Sequence, residues 1–185
     1  MHGNRAMKIN RSKGPGQQIA DGFTLIELMI VLVILAVAAA IAVPMASSAG
    51  SLQVRSAANM VAADLEYAKS LAIGTGQHHR VKFDAGAESY QIEMRKADGT
   101  YEVIKHPVKK GFDYIVSFST DRRLGQVNIV SADFDGTDTV SFDYLGSPYN
   151  GATDALTSGI VTLQAGGVTR TVTVEPVTGF VSISN

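Results

Sequence analysis

The residues whose types and spacing could support chemistry lie at the start of a long apolar run. Between Phe23 and Val43 the only polar residues are Thr24 and Glu27. A carboxylate in a membrane helix costs about 2.5 to 3.5 kcal/mol or more unless it finds a partner. A chain cut before Phe23 would provide one, because the new amino group stays cationic even after methylation. The alternative is an ordinary anchor whose Glu27 side chain reaches the water interface.

The segment before this run has the reverse order of a secretory signal peptide. A signal peptide places its cleavage site after an apolar stretch, with small residues ahead of the cut. Here residues 1–22 are largely polar, hold four Lys or Arg and one Asp, and end at Gly22 directly before the apolar run. A cut there would remove a cationic segment and leave the anchor, as suits a building block. Translation could begin at Met1 or at Met7, since either start gives a complete basic leader.

This arrangement closely resembles the class III leader of type IV pilins and type II secretion pseudopilins. The resemblance rests on Gly22 followed by Phe23-Thr24-Leu25-Ile26-Glu27-Leu28. It implies that a prepilin peptidase cuts after Gly22 on the cytoplasmic side and methylates Phe23. It further implies that Thr24 and Glu27 belong to the assembly segment, where the glutamate of one subunit meets the N-terminus of its neighbour. The implied partners are the peptidase and other pilins or pseudopilins in a filament.

The apolar run also predicts how the chain lies in a membrane. Residues 23–43 are about the 20 residues that a helix needs to cross a bilayer core. Because the cations precede this run, the positive-inside rule predicts a single-pass protein with a cytoplasmic N-terminus. The resemblance implies that the membrane is the bacterial inner membrane and that the head is periplasmic, assembled into a pseudopilus.

Helical periodicity resumes after Pro44 and predicts an amphipathic helix that ends near Gly74 and Gly76. Such a helix would lie against a sheet with its apolar stripe. The stripe consists of Val54, Ala58, Val61, Leu65, Ala68 and Ala72, whereas Arg55, Asn59, Asp64, Glu66 and Lys69 fall largely off it.

Beyond Gly76 the pattern is typical of β-strands joined by tight turns at Asp98-Gly99, Gly166-Gly167 and residues 176–179. We expect an α+β fold in which a long N-terminal helix packs on antiparallel β-sheets, as in pilins. The predicted organisation is a leader (1–22), a transmembrane and assembly helix (23–43), an amphipathic helix (44–76) and a β-rich head (77–185). The predicted strands are residues 80–84, 90–94, 100–105, 126–130, 139–144, 159–163, 168–174 and 180–183, with loops at 105–112 and 146–158.

The head resembles the GspH/FimT group of minor pseudopilins and minor pilins. The resemblance rests on RVKFD and YQIEM after the helix, and on a tail that contains Phe142, Gly146-Ser147-Pro148, Gly159-Ile160, Leu163, Arg170, Val172, Val174, Thr178-Gly179 and Val181. It implies a minor pseudopilin of the type II secretion system, a structural component of the pseudopilus. The alternative is a FimT-like minor type IV pilin in pilus biogenesis or DNA uptake. FimT-type proteins that take up DNA tend to have a basic C-terminal turn, whereas Phe180–Asn185 contains no cation.

Candidate metal ligands are few. His78 and His79 are adjacent, so on a strand they would face opposite sides and could not share an ion. Asp133, Asp135 and Asp138 lie around a glycine as in a calcium loop, but the glycine comes too early for an EF-hand and no glutamate follows at the required distance. Aspartate and glycine are also ordinary turn residues. We therefore expect a turn and no cofactor, with calcium as the alternative.

The composition of the chain argues against nucleic-acid binding and against enzymatic activity. The leader holds four of the 16 Lys and Arg and one of the 17 Asp and Glu, so residues 23–185 have a net charge of −4. This balance disfavours nucleic acid as a partner. The basic clusters of the head, residues 105–110 and Arg122-Arg123, are interpreted as solvated loop charges, with contact to a partner or DNA as the alternative. There is no cysteine and no nucleophile motif such as G-x-S-x-G, so we expect no enzymatic activity.

Overall fold

The computed structural model describes residues 23–151 and 153–184, and for residues 41–48 it describes the backbone alone. The chain divides into two compact units, residues 1–40 and 41–185. Helix α1 (Leu25–Thr75) begins in the first unit and ends in the second. In the part of the chain that the structure describes, no helical sequence meets both the length and the hydropathy that a membrane crossing requires.

The second half of α1 is held by its apolar stripe. All six residues predicted to form this stripe are fully buried in the core, which confirms the predicted amphipathic face. The helix ends at Thr75, and Gly76 follows with φ of +67°, a left-handed conformation that commonly terminates helices. The predicted helix end at Gly74 and Gly76 is therefore also confirmed.

Ten strands are described, and they form two antiparallel sheets. The first sheet has the order β3-β2-β1-β6-β7, with β4 pairing separately with β2, and the second has the order β10-β9-β8-β5. Both sheets contribute side chains to the core that buries the α1 stripe. The strands are β1 (His79–Asp84), β2 (Ser89–Arg95), β3 (Tyr101–Val103), β4 (Ile115–Ser117), β5 (Asn128–Phe134), β6 (Thr139–Phe142), β7 (Pro148–Asn150), β8 (Gly159–Ala165), β9 (Val168–Val174) and β10 (Val181–Ser184).

Two short strands differ from the sequence-based expectation. Strand β7 lies in the predicted loop 146–158, whose glycine, proline and serine are typical of turns. It pairs with β6 at the end of the first sheet, where Pro148 can be the first residue of an edge strand. Strand β4 was not predicted, because three residues are too short to display alternation. Strand β5 was placed too early, at residues 126–130.

The predicted C-terminal meander β8-β9-β10 is confirmed. Side chains of α1 form hydrogen bonds to the turn between β9 and β10. Lys69 lies off the apolar stripe, yet its Nζ donates a hydrogen bond to the carbonyl oxygen of Gly179 at 2.9 Å. Glu66 accepts a hydrogen bond from the backbone N–H of Val181 at 3.2 Å and pairs with Lys69 at 2.8 Å. The polar face of α1 is therefore partly used to hold the start of β10.

A glycine allows α1 to approach the turn between β8 and β9. Gly166 and Gly167 form this turn with φ of +57° and +77°, the region that hairpin turns require. A Cβ atom added at Gly50 of α1 would lie 2.6 Å from the Cα of Gly166. Real Cβ atoms do not approach backbone so closely, so Gly50 sets the distance between the helix and the second sheet.

Replacement of this glycine should therefore destabilise the head. Gly50→Ala should lower the free energy of unfolding by about 1 to 3 kcal/mol, since backbone must shift to relieve the overlap. Gly74→Ala is the matched control, because a Cβ at that helical position meets nothing within 4 Å. It should be neutral or stabilise by up to about 1 kcal/mol. Urea unfolding of the full chain in neutral detergent, followed by circular dichroism, measures both, and equal effects would contradict the close approach.

Candidate functional site

Thr24 and Glu27 together begin helix α1. The Thr24 side-chain oxygen accepts a hydrogen bond from the backbone N–H of Glu27 at 3.2 Å, and the Thr24 carbonyl accepts one from Leu28 at 3.1 Å. Thr24 is thus the N-cap, and a glutamate three residues later is the spacing of a capping box. Sequence analysis missed this cap, although Ser or Thr followed by x-x-Glu before an apolar run is its usual signal.

The first turn of α1 also favours a negative charge. Glu27 is exposed in this turn, where the positive end of the helix dipole stabilises a carboxylate. Phe23 precedes it and is 82% exposed, so groups from another molecule can reach both residues. Gly22 and the rest of the predicted leader lie outside the described residues. The cleavage position and the methylation of Phe23 stay predictions.

The first unit exposes a continuous apolar surface. Among residues 23–40, the large apolar side chains are all more than 40% exposed, and apolar surface of this extent usually marks a contact with lipid or protein. This surface therefore requires a partner outside the unit. It consists of Phe23, Leu25, Ile26, Leu28, Met29, Ile30, Val31, Leu32, Val33, Ile34, Leu35 and Val37.

In the head, a buried carboxylate lies between two tyrosines. Tyr90 donates its hydroxyl to one oxygen of Asp64 at 2.6 Å, and Tyr114 donates to the other at 2.8 Å. Asp64 was predicted to lie off the apolar stripe, yet it is only 9% exposed, and its burial was not predicted. The reason is that β2 and the residue before β4 place two hydroxyls over it, an arrangement that helical periodicity alone cannot reveal.

Burial decides the protonation of this cluster. The pKa of Asp64 is raised because desolvation disfavours its charged form, although the hydrogen bonds from Tyr90 and Tyr114 act in the opposite direction. Burial and the neighbouring carboxylate also raise the pKa of both tyrosines. The phenols therefore stay protonated and remain donors to Asp64.

The structure brings the two basic clusters of the head together. We call the cavity of about 890 Å³ lined by His106, Lys109, Arg122, Arg123 and Asp64 the basic groove. The sequence predicted solvated loop charges here, with contact to a partner or DNA as the alternative. The loop after β3 and the loop after β4 both bring these cations to the lining of one cavity. Lys105, by contrast, pairs with Asp113 at 2.6 Å.

A stack of three rings fixes one wall of the basic groove. The His106 ring stacks on Tyr114 with 4.6 Å between centroids, and Tyr67 of α1 stacks on Tyr114 at 5.8 Å. The Nδ1 atom of His106 accepts hydrogen bonds from the backbone N–H groups of Val108 and Lys109, both at 3.1 Å. The loop that carries Lys109 is therefore ordered against the helix.

The candidate calcium ligands each contact a nearby donor. Asp133 accepts a hydrogen bond from the backbone of Gly136 at 2.7 Å, and Asp138 accepts one from Thr139 at 2.7 Å. Asp135 accepts hydrogen bonds from Thr157 and Ser158, which link the β5–β6 turn to the segment before β8. Among the residues that the structure describes, no three His, Cys, Asp or Glu side chains are grouped to hold a metal ion.

The His79 side chain is buried and contacts the nearby backbone. Its ring is 2% exposed, and its Nδ1 atom lies 3.0 Å from the carbonyl oxygen of Gln77. Burial lowers the pKa of this histidine, so the neutral ring is favoured. The side chain is part of the packed interior at the first residue of β1.

The N-terminal segment matches a known family model. Residues 20–43 match the model of the prokaryotic N-terminal methylation motif. This match includes all the residues on which the leader resemblance rests, Gly22 and Phe23 to Leu28. A comparison of the chain with curated proteins gives no match.

Solved structures share the fold of the chain. The minor pseudopilin EpsH from the type 2 secretion system of Vibrio cholerae has a TM-score of 0.52 at 13% identity, covering 71% of this chain and 96% of that chain. A second EpsH structure has a TM-score of 0.51 at 11% identity, covering 71% and 95%. The type IV minor pilin FimU of Pseudomonas aeruginosa has a TM-score of 0.46 at 16% identity, covering 73% and 90%.

The predicted fold class, a long N-terminal helix with antiparallel sheets, is confirmed by the fold shared with EpsH. The chain is therefore pilin-like in its N-terminal motif and in its fold.

The raised pKa of Asp64 predicts a pH-dependent stability. A carboxyl group whose pKa is higher in the folded state stabilises the fold at low pH, and this contribution is lost as the pH rises through the raised pKa. The stability of the wild type relative to Asp64→Asn should therefore fall as the pH rises above the ordinary pKa of an aspartate, about 4. Urea unfolding of the full chain in neutral detergent at several pH values measures this difference.

Asp121→Asn provides the control with the opposite sign. Hydrogen bonds from Arg123 lower the pKa of Asp121. The stability of the wild type relative to this variant should therefore rise with pH, by a small amount because the pair is exposed. A wild type that gains stability over Asp64→Asn as the pH rises would contradict the buried, desolvated state of Asp64.

Proposed function

We propose that this protein is a minor pseudopilin of a type II secretion system, a structural component of the periplasmic pseudopilus. The observation that carries the proposal is the fold shared with EpsH, which is itself a minor pseudopilin and is covered over almost its entire length. The methylation motif supports the same assignment, because it indicates a subunit that is processed before assembly.

Processing and anchoring follow from the first unit. In this proposal a prepilin peptidase cuts after Gly22 and methylates Phe23. Residues 23–43 hold the product in the inner membrane, with the N-terminus cytoplasmic and the head periplasmic. The exposed apolar surface of the first unit supports this step, since lipid can cover it before assembly and helices of other pilin-like subunits can cover it afterwards.

Glu27 has a second role beyond the helix start. Its carboxylate lies about 6 Å along the helix from Phe23, and both residues are exposed to other molecules. In the apolar interior of a filament the carboxylate of one subunit would pair with the methylated amino group of its neighbour. Because an unpaired charge is costly there, this pair would set the register between subunits.

A FimT-like minor type IV pilin is the second candidate. The methylation motif is common to both branches, and the cations of the basic groove offer a surface that an anionic partner could reach. Two observations weigh against DNA uptake. Residues 23–185 have a net charge of −4, and Phe180–Asn185 contains no cation. The secretion branch therefore remains the proposed function.

Genetic complementation tests both the branch and the role of Glu27. Deletion of the gene should leave secreted enzymes in the periplasm while DNA uptake and twitching persist. Glu27→Gln should be cleaved normally but fail to restore secretion, because glutamine can still serve in the capping box yet has no charge to pair. Glu102→Gln, which changes an exposed carboxylate of the head, is the matched control and should restore secretion fully.

Secretion of periplasmic enzymes into the medium is the readout, and immunoblots of sheared filaments report incorporation. If the deletion strain secretes normally but loses transformation or twitching, the FimT-like alternative replaces the proposed function. If Glu27→Gln restores secretion as well as Glu102→Gln does, the charge of Glu27 is not needed and its role is limited to the helix start.

A further inference from the structure

The basic groove continues along one face of α1. A second cavity of about 260 Å³ shares Met60 and Arg123 with it and extends to Leu52 and Ser56. Leu52, Ser56, Met60 and Asp64 follow one another at steps of four residues, so they lie along one side of the helix. The distance from Leu52 to Asp64 is about 18 Å at the rise of an α-helix. This length accommodates about five or six residues of an extended peptide.

The groove has an apolar floor and a cationic rim. We call the apolar lining residues the floor, which are Met60 of both cavities and Leu124 of the second, and we call the exposed cations Lys109, Arg122 and Arg123 the rim. Such a combination is typical of peptide sites, where side-chain pockets and charged groups together define the ligand.

The positive charge of the rim is only partly balanced. Asp121 pairs with Arg123 at 3.0 Å, and both oxygens of Asp64 are occupied by tyrosine hydroxyls. Within residues 23–151 and 153–184, neither Lys109 nor Arg122 has an ion-pair partner. A chain with a net charge of −4 after the leader thus concentrates unpaired cations at one groove.

We propose that this groove binds an acidic segment of a neighbouring filament subunit, an extended peptide in which carboxylates alternate with apolar side chains. The carboxylates would meet Lys109 and Arg122, and the apolar side chains would cover Met60 and Leu124. Charge-assisted hydrogen bonds to Arg and Lys favour carboxylates over neutral groups of the same shape. The inference rests on the proposed function, since only a filament supplies such a neighbour.

The rings of the groove disfavour single-stranded nucleic acid as the ligand. Binding of single strands depends on aromatic faces on which bases stack. Tyr114, an aromatic ring of the groove, already stacks with Tyr67 and with His106. A peptide therefore fits the groove better than a polynucleotide.

A binding assay with defined peptides tests the inference. The probes are fluorescein-labelled six-residue peptides that alternate Glu with Leu or Gln with Leu, and a 12-nucleotide single-stranded DNA. Fluorescence anisotropy is measured with the full chain in neutral detergent. The Glu peptide should bind about tenfold more tightly than the Gln peptide, a difference of about 1.4 kcal/mol. Added salt should weaken its binding, because the rim cations are exposed.

Paired charge reversals locate the site. Lys109→Glu with Arg122→Glu should weaken binding of the Glu peptide by about tenfold or more and create binding of a peptide that alternates Lys with Leu. Lys110→Glu with Arg95→Glu makes the same change in net charge at exposed positions that do not line the groove. This control should change binding by less than about twofold. Circular dichroism verifies that both variants are folded.

Three results would overturn the inference. They are equal losses in the two double variants, a Glu peptide that binds no more tightly than the Gln peptide, and tighter binding of the DNA than of the Glu peptide at the same salt concentration. None of these results affects the pseudopilin assignment, which depends on secretion by the deletion strain. Failure of the groove and failure of the proposed function are thus distinguishable.

Discussion

Burial of helix α1 is the constraint on which the rest of the structure depends. In the second unit, the stripe of six apolar residues is fully buried, and both sheets are built around it. In the first unit, the apolar side chains from Phe23 to Val37 are exposed. At about 25 cal/mol per Å² of apolar surface, neither surface can remain in water without a large cost. The two sheets bury the stripe of the second unit. The apolar side chains of the first unit must be covered by assembly or by a membrane.

Polar groups on α1 add specificity to this packing. Asp64 is the buried partner of two tyrosine hydroxyls, and Glu66 and Lys69 hold the start of β10. A buried polar group that is fully hydrogen-bonded fixes the position of its partners, whereas apolar contacts tolerate small shifts. These side chains therefore align both sheets with the helix. They also place the loops that form the basic groove.

Much of this organisation could be predicted from the sequence. The stripe of α1 and the bounds of β9 depend on local periodicity and were predicted correctly. Strands β4 and β7 were missed because three residues carry no period and because proline and glycine are typical of turns. The Asp64 cluster and the basic groove depend on contacts between residues that are distant in sequence. One sequence without an alignment holds no signal for such contacts.

The central claim is that the chain is a processed building block whose apolar N-terminal helix becomes part of a filament. Mass spectrometry of the protein purified from membranes tests this claim most directly, because the N-terminal residue records the processing. The account predicts a chain that begins with N-methylated Phe23. A mature chain that retains Asp21, or one that begins within the apolar run after Phe23, would contradict the account.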